Sequence, residues 1–311
     1  MSSSNGWTPA AIPDQSGRRV VVTGATGGLG YHTALELARY GASVVLAVRD
    51  ATKGVETAAE IRDDLPDADV SVLQLDLSSL ASVRTAAEMV AEYDRVDLLI
   101  NNAGVMAPPQ RQTEDGFELQ MGTNHLGHFA LTGLVLPVLS RSPAPRVVTV
   151  TSAMHRTVTG LELSDPRAHG RYRKWTAYSR SKLANLLFAR ELDRRATAAG
   201  SALVSVASHP GYAATHLQQS GPQMGGRRPG SMILIAVTAV VAVPASVGAW
   251  PSLRAATDPE VPGGSLVGPT RMGGTRGSPG VVGSSPASRD AALASRLWDW
   301  SEAATGVTFD F

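Results

Sequence analysis

Cysteine is absent from the 311 residues, and neither sign of charge is in excess. A chain without cysteine forms no disulfide, no thiolate metal site and no cysteine nucleophile. Lys and Arg together number 28 and Asp and Glu 27, so there is no basic field to attract nucleic acid. We therefore expect no nucleic-acid partner, and the net charge does not favour acidic substrates.

Long apolar runs are also scarce. The strongly apolar stretch Met232–Val243 is followed at once by Pro244, whereas a bilayer-spanning helix needs about 20 apolar residues. We expect a buried or substrate-capping helix there and no membrane span, with a membrane-touching surface as the alternative. Residues 1–15 show no charged start followed by an apolar run, as a secretory signal would. The expected location is cytoplasmic.

Short apolar runs alternate with longer helical patterns from Arg18 onwards. Continuous rather than alternating apolar strands are typical of a parallel sheet buried on both faces. The predicted strands are Val20–Thr23, Ser43–Val48, Val70–Leu75, Val96–Ile100, Val147–Val150 and Leu203–Ala207. The predicted helices are Leu29–Tyr40, Thr52–Asp63, Leu80–Tyr93, Leu126–Ser140, Thr176–Ala198 and Arg289–Thr305. This repetition predicts an α/β fold, a single Rossmann-type doubly wound parallel sheet with helices on both faces.

One domain is expected over residues 1–311, with three functional parts. Residues 18–207 would form the dinucleotide-binding and catalytic core. Residues 208–288, rich in Gly, Pro and Ser, would form an extended C-terminal substrate-covering region, in which Gly263–Ser288 is predicted to be a surface loop. Residues 289–311 would form a last helix and tail, with Trp298 and Trp300 packed in the core.

A glycine-rich turn joins the first predicted strand to the first helix, and it also contains Thr26 and Leu29. Glycines at 24, 28 and 30 permit a tight turn and let the backbone approach a pyrophosphate. The following helix would direct its free N–H groups at the phosphates. Because the turn lies between a strand and a helix, where this mechanism requires it, the pattern predicts dinucleotide binding.

The spacing Gly-x-x-x-Gly-x-Gly resembles that of the short-chain dehydrogenase/reductase family. Further motifs, which together cover about residues 18–216, extend the resemblance: Asn101-Asn102-Ala103-Gly104, Asn124 within Thr123–Gly127, Ser152, Tyr178-x-x-x-Lys182, and His209-Pro210-Gly211 with Thr215. Ser152 and Tyr178 lie 26 positions apart, about twice the spacing in many members. This long insertion, with Thr123–His128, Ala255–Pro259 and Leu297–Ser301, is similar to the retinol-dehydrogenase-like branch.

The resemblance implies an enzyme, an NAD(P)-dependent oxidoreductase acting on CH–OH groups. It implies that Tyr178 is the general acid or base, that Ser152 binds the substrate oxygen, and that Asn124 holds a water. Lys182 would bind the nicotinamide ribose, and as a nearby ammonium it would lower the pKa of Tyr178. Each residue also has an ordinary alternative: an exposed helix face for the Tyr178–Lys182 pair, a helix cap for Ser152, and a turn or a buried bridging residue for Asn124.

Cofactor choice depends on the end of the second strand, Ala47-Val48-Arg49-Asp50. Arg at this place favours the 2′-phosphate of NADP, whereas an acidic residue favours the free ribose 2′-hydroxyl of NAD. Arg49 therefore predicts NADP, and Asp50 keeps NAD open. By resemblance, the cofactor contacts also include Asp76 and Leu77 at the adenine. The other expected contacts are Asn102, Ala103, Gly104, Pro210, Gly211 and Thr215.

The apolar Met232–Val243 run predicts a lipophilic small-molecule substrate, and a homo-oligomer stays open because many relatives form dimers or tetramers. A cofactor-binding regulator without turnover is the main alternative, and a membrane-surface lipid enzyme is another. A protochlorophyllide-reductase type relies on cysteine, which is missing. No metal site is expected, because no ligand spacing links the histidines at 125, 128, 155 and 169.

Overall fold

An eight-stranded sheet runs through the centre of the protein. In the computed structural model, which describes residues 6–165, 170, 172–211 and 243–311, the strands follow in the spatial order 3-2-1-4-5-6-7-8. They are β1 (Arg19–Thr23), β2 (Ser43–Val48), β3 (Val70–Gln74), β4 (Leu98–Asn101), β5 (Arg146–Val150), β6 (Val204–Ser208), β7 (Leu266–Arg271) and β8 (Arg276–Val281). Strands β1 to β7 are parallel, and β8 runs antiparallel to β7.

Helices cover both faces of this sheet, as predicted. They are α1 (Gly28–Arg39), α2 (Ala51–Asp64), α3 (Leu80–Ala91), α4 (Leu119–Met121), α5 (Gly127–Leu139), α6 (Lys174–Ala198), α7 (Ala245–Gly248), α8 (Trp250–Thr257) and α9 (Ala291–Thr305). One apolar core joins the sheet to α3, α5, α6 and α9, and a second joins it to α1, α2 and α8. The doubly wound parallel sheet is therefore confirmed.

Local capping explains where several helices begin. The Asp50 carboxylate accepts a hydrogen bond from the Lys53 N–H at the start of α2, and Asp290 does the same for Leu293 at the start of α9. Such side chains satisfy N–H groups that a helix leaves without partners. Helix α9 consequently begins after Asp290, two residues later than predicted. It ends at Thr305, and Gly306 with a φ of 65° forms its C-cap.

The order of the strands reverses between β1 and β4: β2 and β3 follow on one side of β1, and β4 and the later strands follow on the other side. Strands β1 and β4 are neighbours, with Val21 paired to Leu99, while β2 and β5 lie on their outer sides. In open α/β sheets, ligands bind outside the carboxyl ends of the strands at this reversal. The turn after β1 and the loop after β4 therefore begin at the same crevice.

The prediction of a surface loop over Gly263–Ser288 is wrong. Within it, β7 extends the sheet by pairing with β6, and β8 returns along β7 as an antiparallel partner. Leu266 and Val267 are 1% and 0% exposed, so the start of β7 lies in the core. Local composition concealed these strands, because Pro and Gly occupy the positions where β-branched residues would indicate a strand; pairing with distant β6 stabilises them.

The Met232–Val243 run lies outside the described residues except for Val243, so its predicted helix and its role as a lid stay predictions. Among the residues that the structure describes, no helix combines the length and apolar character needed to cross a membrane.

Aromatic packing attaches the C-terminal segment to the body of the domain. Trp298 of α9 is 2% exposed and its ring centroid lies 5.1 Å from Phe129 on α5 and 5.9 Å from Phe188 on α6. Phe309 of the tail packs 4.5 Å from Trp298. Trp300 is partly buried in a separate cluster with α6. The prediction that both tryptophans pack in the core is confirmed for Trp298, whereas Trp300 is only partly buried.

Replacing Trp298 with Ala should lower the free energy of unfolding by about 3 to 5 kcal/mol, because a large buried ring is lost from a closely packed cluster. Urea denaturation followed by circular dichroism measures the change. Met89→Ala is the control, because Met89 on α3 is 53% exposed and its loss should cost less than about 0.5 kcal/mol. Equal stability of the two variants would contradict this account of the C-terminal segment.

Candidate active site

The glycine-rich turn after β1 has the geometry of a phosphate cradle. Gly24 and Gly28 have φ values of 68° and 54°, which favour glycine. A Cβ at Gly30 would overlap the Gly24 carbonyl oxygen and would lie 2.6 Å from Asn102 Nδ2. The turn therefore requires these glycines and leads directly into the N-terminus of α1. Thr26 is exposed at its tip, and Leu29 lies in the first turn of α1.

A hydrogen-bonded junction ties this turn to the loop after β4. The Thr23 hydroxyl oxygen accepts hydrogen bonds from the backbone N–H groups of Asn102 and Ala103, at 2.9 and 3.0 Å. Asn102 Nδ2 donates to the Thr23 carbonyl at 2.8 Å. The side chain of Asn102 is thus occupied in holding two loops together, and the loop Asn102–Gly104 is held beside the glycine turn.

His128 links this junction to Asn124. Its Nε2 lies 2.9 Å from the Thr23 hydroxyl, and its Nδ1 lies 3.0 Å from the Asn124 carbonyl oxygen. Burial lowers the pKa of His128 to about 4, so the ring is neutral at pH 7. A neutral ring that donates from Nδ1 to Asn124 can accept the Thr23 proton at Nε2. The motif pointed to His128 but not to Thr23, whose role depends on tertiary contacts.

Asn124 lies in a π-helical turn, Gly122–Leu126, between α4 and α5. Its Oδ1 accepts from the Val105 N–H at 2.7 Å, and its Nδ2 donates to the Val105 carbonyl at 3.0 Å. Nδ2 also lies 2.9 Å from Ser181 Oγ on α6. Single π-helical turns often occur at functional sites, and here the turn directs a buried amide at the loop after β4. Asn124 is 0% exposed and bridges Val105 and Ser181, so the structure agrees with the alternative of a buried bridging residue.

Ser152, Tyr178 and Lys182 meet at the carboxyl end of β5. Ser152 caps a 3₁₀ turn, Ala153–Thr157, by accepting from the Met154 N–H at 3.3 Å; the cap and a hydrogen bond to Tyr178 coexist. Lys182 Nζ lies 5.9 Å from the Tyr178 ring centroid and donates to the Val150 carbonyl at 3.1 Å. Tyr178 and Lys182 are 6% and 3% exposed, so they do not form an exposed helix face.

The expected lowering of the Tyr178 pKa is wrong for this arrangement. Burial raises the pKa of Tyr178 to about 12, and the hydrogen bond with Ser152 opposes this only in part. Burial also lowers the pKa of Lys182 to about 8. Lys182 is bound to the Val150 carbonyl rather than to the phenol oxygen, so desolvation outweighs its attraction for tyrosinate. At neutral pH, the phenol is protonated.

The residues predicted to select the cofactor lie at the ends of β2 and β3. Arg49 is exposed just beyond β2. Asp50 caps α2 and forms an ion pair with Lys53 at 3.8 Å. Asp76 accepts hydrogen bonds from Ser78, and Leu77 is buried with its carbonyl against Gly127. Arg49 therefore presents an exposed cationic side chain at this edge, near the exposed Lys53.

The segment after β6 is supported by the β7–β8 hairpin. Gly211 has a φ of 68°, and a Cβ there would lie 2.6 Å from the Thr275 carbonyl oxygen. The Gly211 N–H donates to His209 Nδ1 at 3.2 Å. Pro210 lies between these two residues at the carboxyl end of the sheet. Thr215 lies outside the described residues, so its predicted contact stays untested.

Comparisons with known proteins agree with this arrangement. The sequence model of the family described as short chain dehydrogenase matches residues 18–225. Human Retinol dehydrogenase 14 is 38% identical over 94% of this chain and 87% of its own length. Human Retinol dehydrogenase 13 is 47% identical over 67% of this chain, and the match spans 62% of that relative. Mouse Polyprenol dehydrogenase is 44% identical over 68% of this chain and 64% of its own length.

Solved structures show the same fold. An uncharacterized protein from Mycobacterium paratuberculosis is 44% identical and superimposes with a TM-score of 0.81, over 99% of this chain and 100% of the other. A short chain dehydrogenase from Escherichia coli CFT073, complexed with NADPH, is 26% identical with a TM-score of 0.54, over 72% of this chain and 90% of its own. The chain therefore belongs to the short-chain dehydrogenase family of nicotinamide-dependent oxidoreductases, in its retinol-dehydrogenase-like branch.

Proposed function

We propose that this protein transfers a hydride between NADP(H) and the carbonyl or alcohol carbon of a lipophilic small molecule. The observation that carries the proposal is the meeting of Asn124, Ser152, Tyr178 and Lys182 beside the glycine cradle. These four side chains come from three separate segments, since Tyr178 and Lys182 share α6, and they are partly or fully buried. The regulator alternative would not require a buried acid–base group at this place.

The nicotinamide cofactor, when bound, supplies the hydride chemistry. Tyr178 donates its proton to the substrate oxygen in reduction and accepts it in oxidation. Because its pKa is raised to about 12, the phenol is in the proton-donor form that reduction requires at neutral pH. Ser152, already hydrogen-bonded to Tyr178, orients the same substrate oxygen. Proton transfer by a positioned side chain contributes about 10²- to 10⁴-fold to the rate.

Lys182 has the buried charge and the position to bind the nicotinamide ribose. A Cβ at Gly104 would lie 3.6 Å from Lys182 Nζ, so Gly104 leaves room beside the ammonium. The same Cβ would lie 3.0 Å from Asn124 Oδ1. Asn124 joins the loop to α6 through its hydrogen bonds to Val105 and Ser181; that it also holds a water of the proton relay is part of the proposal.

NADP is the proposed cofactor. The exposed Arg49 can pair with a 2′-phosphate, while Asp50 is engaged at the N-terminus of α2 and in its ion pair with Lys53. An aspartate so engaged is a poor partner for a free ribose hydroxyl. The NADPH complex of the Escherichia coli relative supports the same choice.

A long-chain or isoprenoid alcohol or aldehyde is the proposed substrate class. The relatives are named for retinol and polyprenol. In addition, Trp175 on α6 is 44% exposed, and its ring lies edge-on to Tyr178 with centroids 6.3 Å apart. An exposed indole beside the reacting group is suited to an apolar chain. Cytoplasmic location and homo-oligomer formation stay predictions.

Tyr178→Phe should bind NADPH like the wild type and lose at least about 10²-fold in turnover, because the proton donor is removed and the ring is kept. The assay follows NADPH absorbance with retinal, decanal and citral as probes. Tyr93→Phe is the control, since Tyr93 stacks on Arg19 at the other end of the sheet. Normal turnover in Tyr178→Phe would sink the mechanism, and absence of turnover in the wild type with every lipophilic carbonyl tested would favour a regulator.

Arg49→Ser should weaken NADPH binding by about 10- to 100-fold, the value of a charge-assisted hydrogen bond, and leave NADH binding unchanged. Fluorescence titration of the purified protein with each cofactor measures both affinities. Arg141→Ser removes an equally positive, exposed side chain at the amino end of the sheet and should change neither affinity. A wild-type preference for NADH would overturn the Arg49 assignment.

Gly30→Ala should abolish binding of both cofactors, because the added methyl overlaps the Gly24 carbonyl and Asn102 Nδ2 and distorts the cradle. Such overpacking also costs about 1 to 3 kcal/mol of stability. Gly160→Ala is the matched control, since nothing lies within 4 Å of a Cβ there. The cradle assignment fails if Gly30→Ala folds and binds NADPH with wild-type affinity.

A further inference from the structure

Two amide side chains four residues apart, Gln120 and Asn124, join the same two parts of the molecule. Each contacts the loop 102–108 after β4, and each contacts helix α6. Asn124 does so through Val105 and Ser181, as described above. Gln120 belongs to α4, was not singled out by any sequence motif, and is 0% exposed.

Gln120 uses both ends of its amide. Its Oε1 accepts the Ala107 N–H at 2.8 Å. Its Nε2 donates to the Lys174 carbonyl at 2.9 Å and to the Tyr172 hydroxyl at 2.8 Å. Lys174 is the first residue of α6, the helix that carries Tyr178 and Lys182. Gln120 therefore links the loop after β4 to the start of the catalytic helix.

Ala107 is held in a conformation that its side chain disfavours. Its φ is 49° and it is 0% exposed. Residues with a Cβ rarely adopt positive φ, and such conformations persist only where the surroundings enforce them. The Gln120 side chain provides a hydrogen bond at the N–H of this residue. Without it, the buried N–H would lack that acceptor, and the loop would be free to relax.

Tyr172 and Glu118 keep the Gln120 side chain in place. The Tyr172 hydroxyl accepts from Gln120 Nε2 and lies 3.2 Å from Glu118 Oε1, to which it can donate. Glu118 is 5% exposed and accepts from the backbone N–H groups of Gln120 and Met121 at 2.9 and 2.8 Å. Tyr172 lies in the long insertion between Ser152 and Tyr178. The insertion thus contributes a side chain to this buried network.

We propose that Gln120 is a positioning residue which, with Tyr172, sets the distance between the loop 102–108 and the reacting face of α6. The inference rests on the function proposed above. Asn124 holds the loop at Val105, and Gln120 holds it two residues later at Ala107. The two amides lie in one segment of the chain and restrain the same loop. Because the loop passes close to Lys182 Nζ at Gly104, a small displacement of the loop changes the surroundings of that ammonium.

The first test needs no substrate. Hydrogen exchange of the Ala107 and Val105 amides is compared in the wild type, Gln120→Met and Asn124→Ala, each as the full chain. Gln120→Met should accelerate exchange mainly at Ala107, and Asn124→Ala mainly at Val105. Ser142→Ala is the control, because it removes the buried 2.6 Å bond to Asp97 at the amino end of the sheet. Unchanged Ala107 exchange in Gln120→Met overturns the proposal.

The second test separates positioning from stability. Gln120→Met should lower kcat with NADPH and the carbonyl probe by about 10- to 100-fold, the scale of a small misplacement of reacting groups. The KM for NADPH should stay near its wild-type value, since the glycine cradle is untouched. Tyr172→Phe should show the same split to a smaller extent. Ser142→Ala should lose thermal stability and keep kcat.

Each outcome decides one claim. Inactive Tyr178→Phe with fully active Gln120→Met refutes the positioning role and leaves the proposed function intact. Active Tyr178→Phe refutes the proposed function, whereas the exchange data still decide whether Gln120 holds the loop. A kcat loss of equal size in Ser142→Ala would mean that stability alone is being measured, and would overturn the proposal.

Discussion

The parallel pairing of β1 with β4 is the constraint on which the site depends. It brings the glycine turn and the loop Asn102–Gly104, which are about 75 residues apart in the chain, to the same edge of the sheet. The Thr23 hydroxyl and the Asn102 amide then join them through four hydrogen bonds. In open α/β sheets, such a reversal of strand order forms the crevice in which ligands bind.

Helix α6 supplies the proposed acid–base residues of this crevice. It packs against β5 and β6, and it carries Tyr178 and Lys182 on one face. Their burial moves both pKa values away from the ordinary range, with Tyr178 raised to about 12 and Lys182 lowered to about 8. Desolvation thus keeps the phenol protonated at neutral pH and makes the ammonium a group that titrates close to neutral pH. The position of α6 relative to the loops is therefore central to the reaction.

Tertiary contacts supply much of that position. The π-helical turn brings Asn124 to Val105, and Gln120 holds Ala107 one turn earlier in the same segment. His125, next to Asn124, is bonded at 2.8 Å to Ser301 of α9, so the C-terminal helix supports the same turn. The β7–β8 hairpin packs against Gly211 beyond β6. Each of these contacts joins residues that are distant in the sequence, or residues in segments whose apolar positions follow neither a helical nor a strand pattern.

The sequence by itself determined the parallel sheet, the positions of most strands and helices, the glycine cradle and the Tyr178–Lys182 pair. It could do so because these features depend on local patterns: continuous apolar strands, capping residues and glycines required by a turn. Tertiary structure alone decided that residues 263–288 contain β7 and β8, since pairing with β6 overrides their Gly and Pro content. It also decided the direction of the Tyr178 pKa shift and the roles of Thr23 and Gln120, because burial and hydrogen-bond partners come from residues that are distant in the chain.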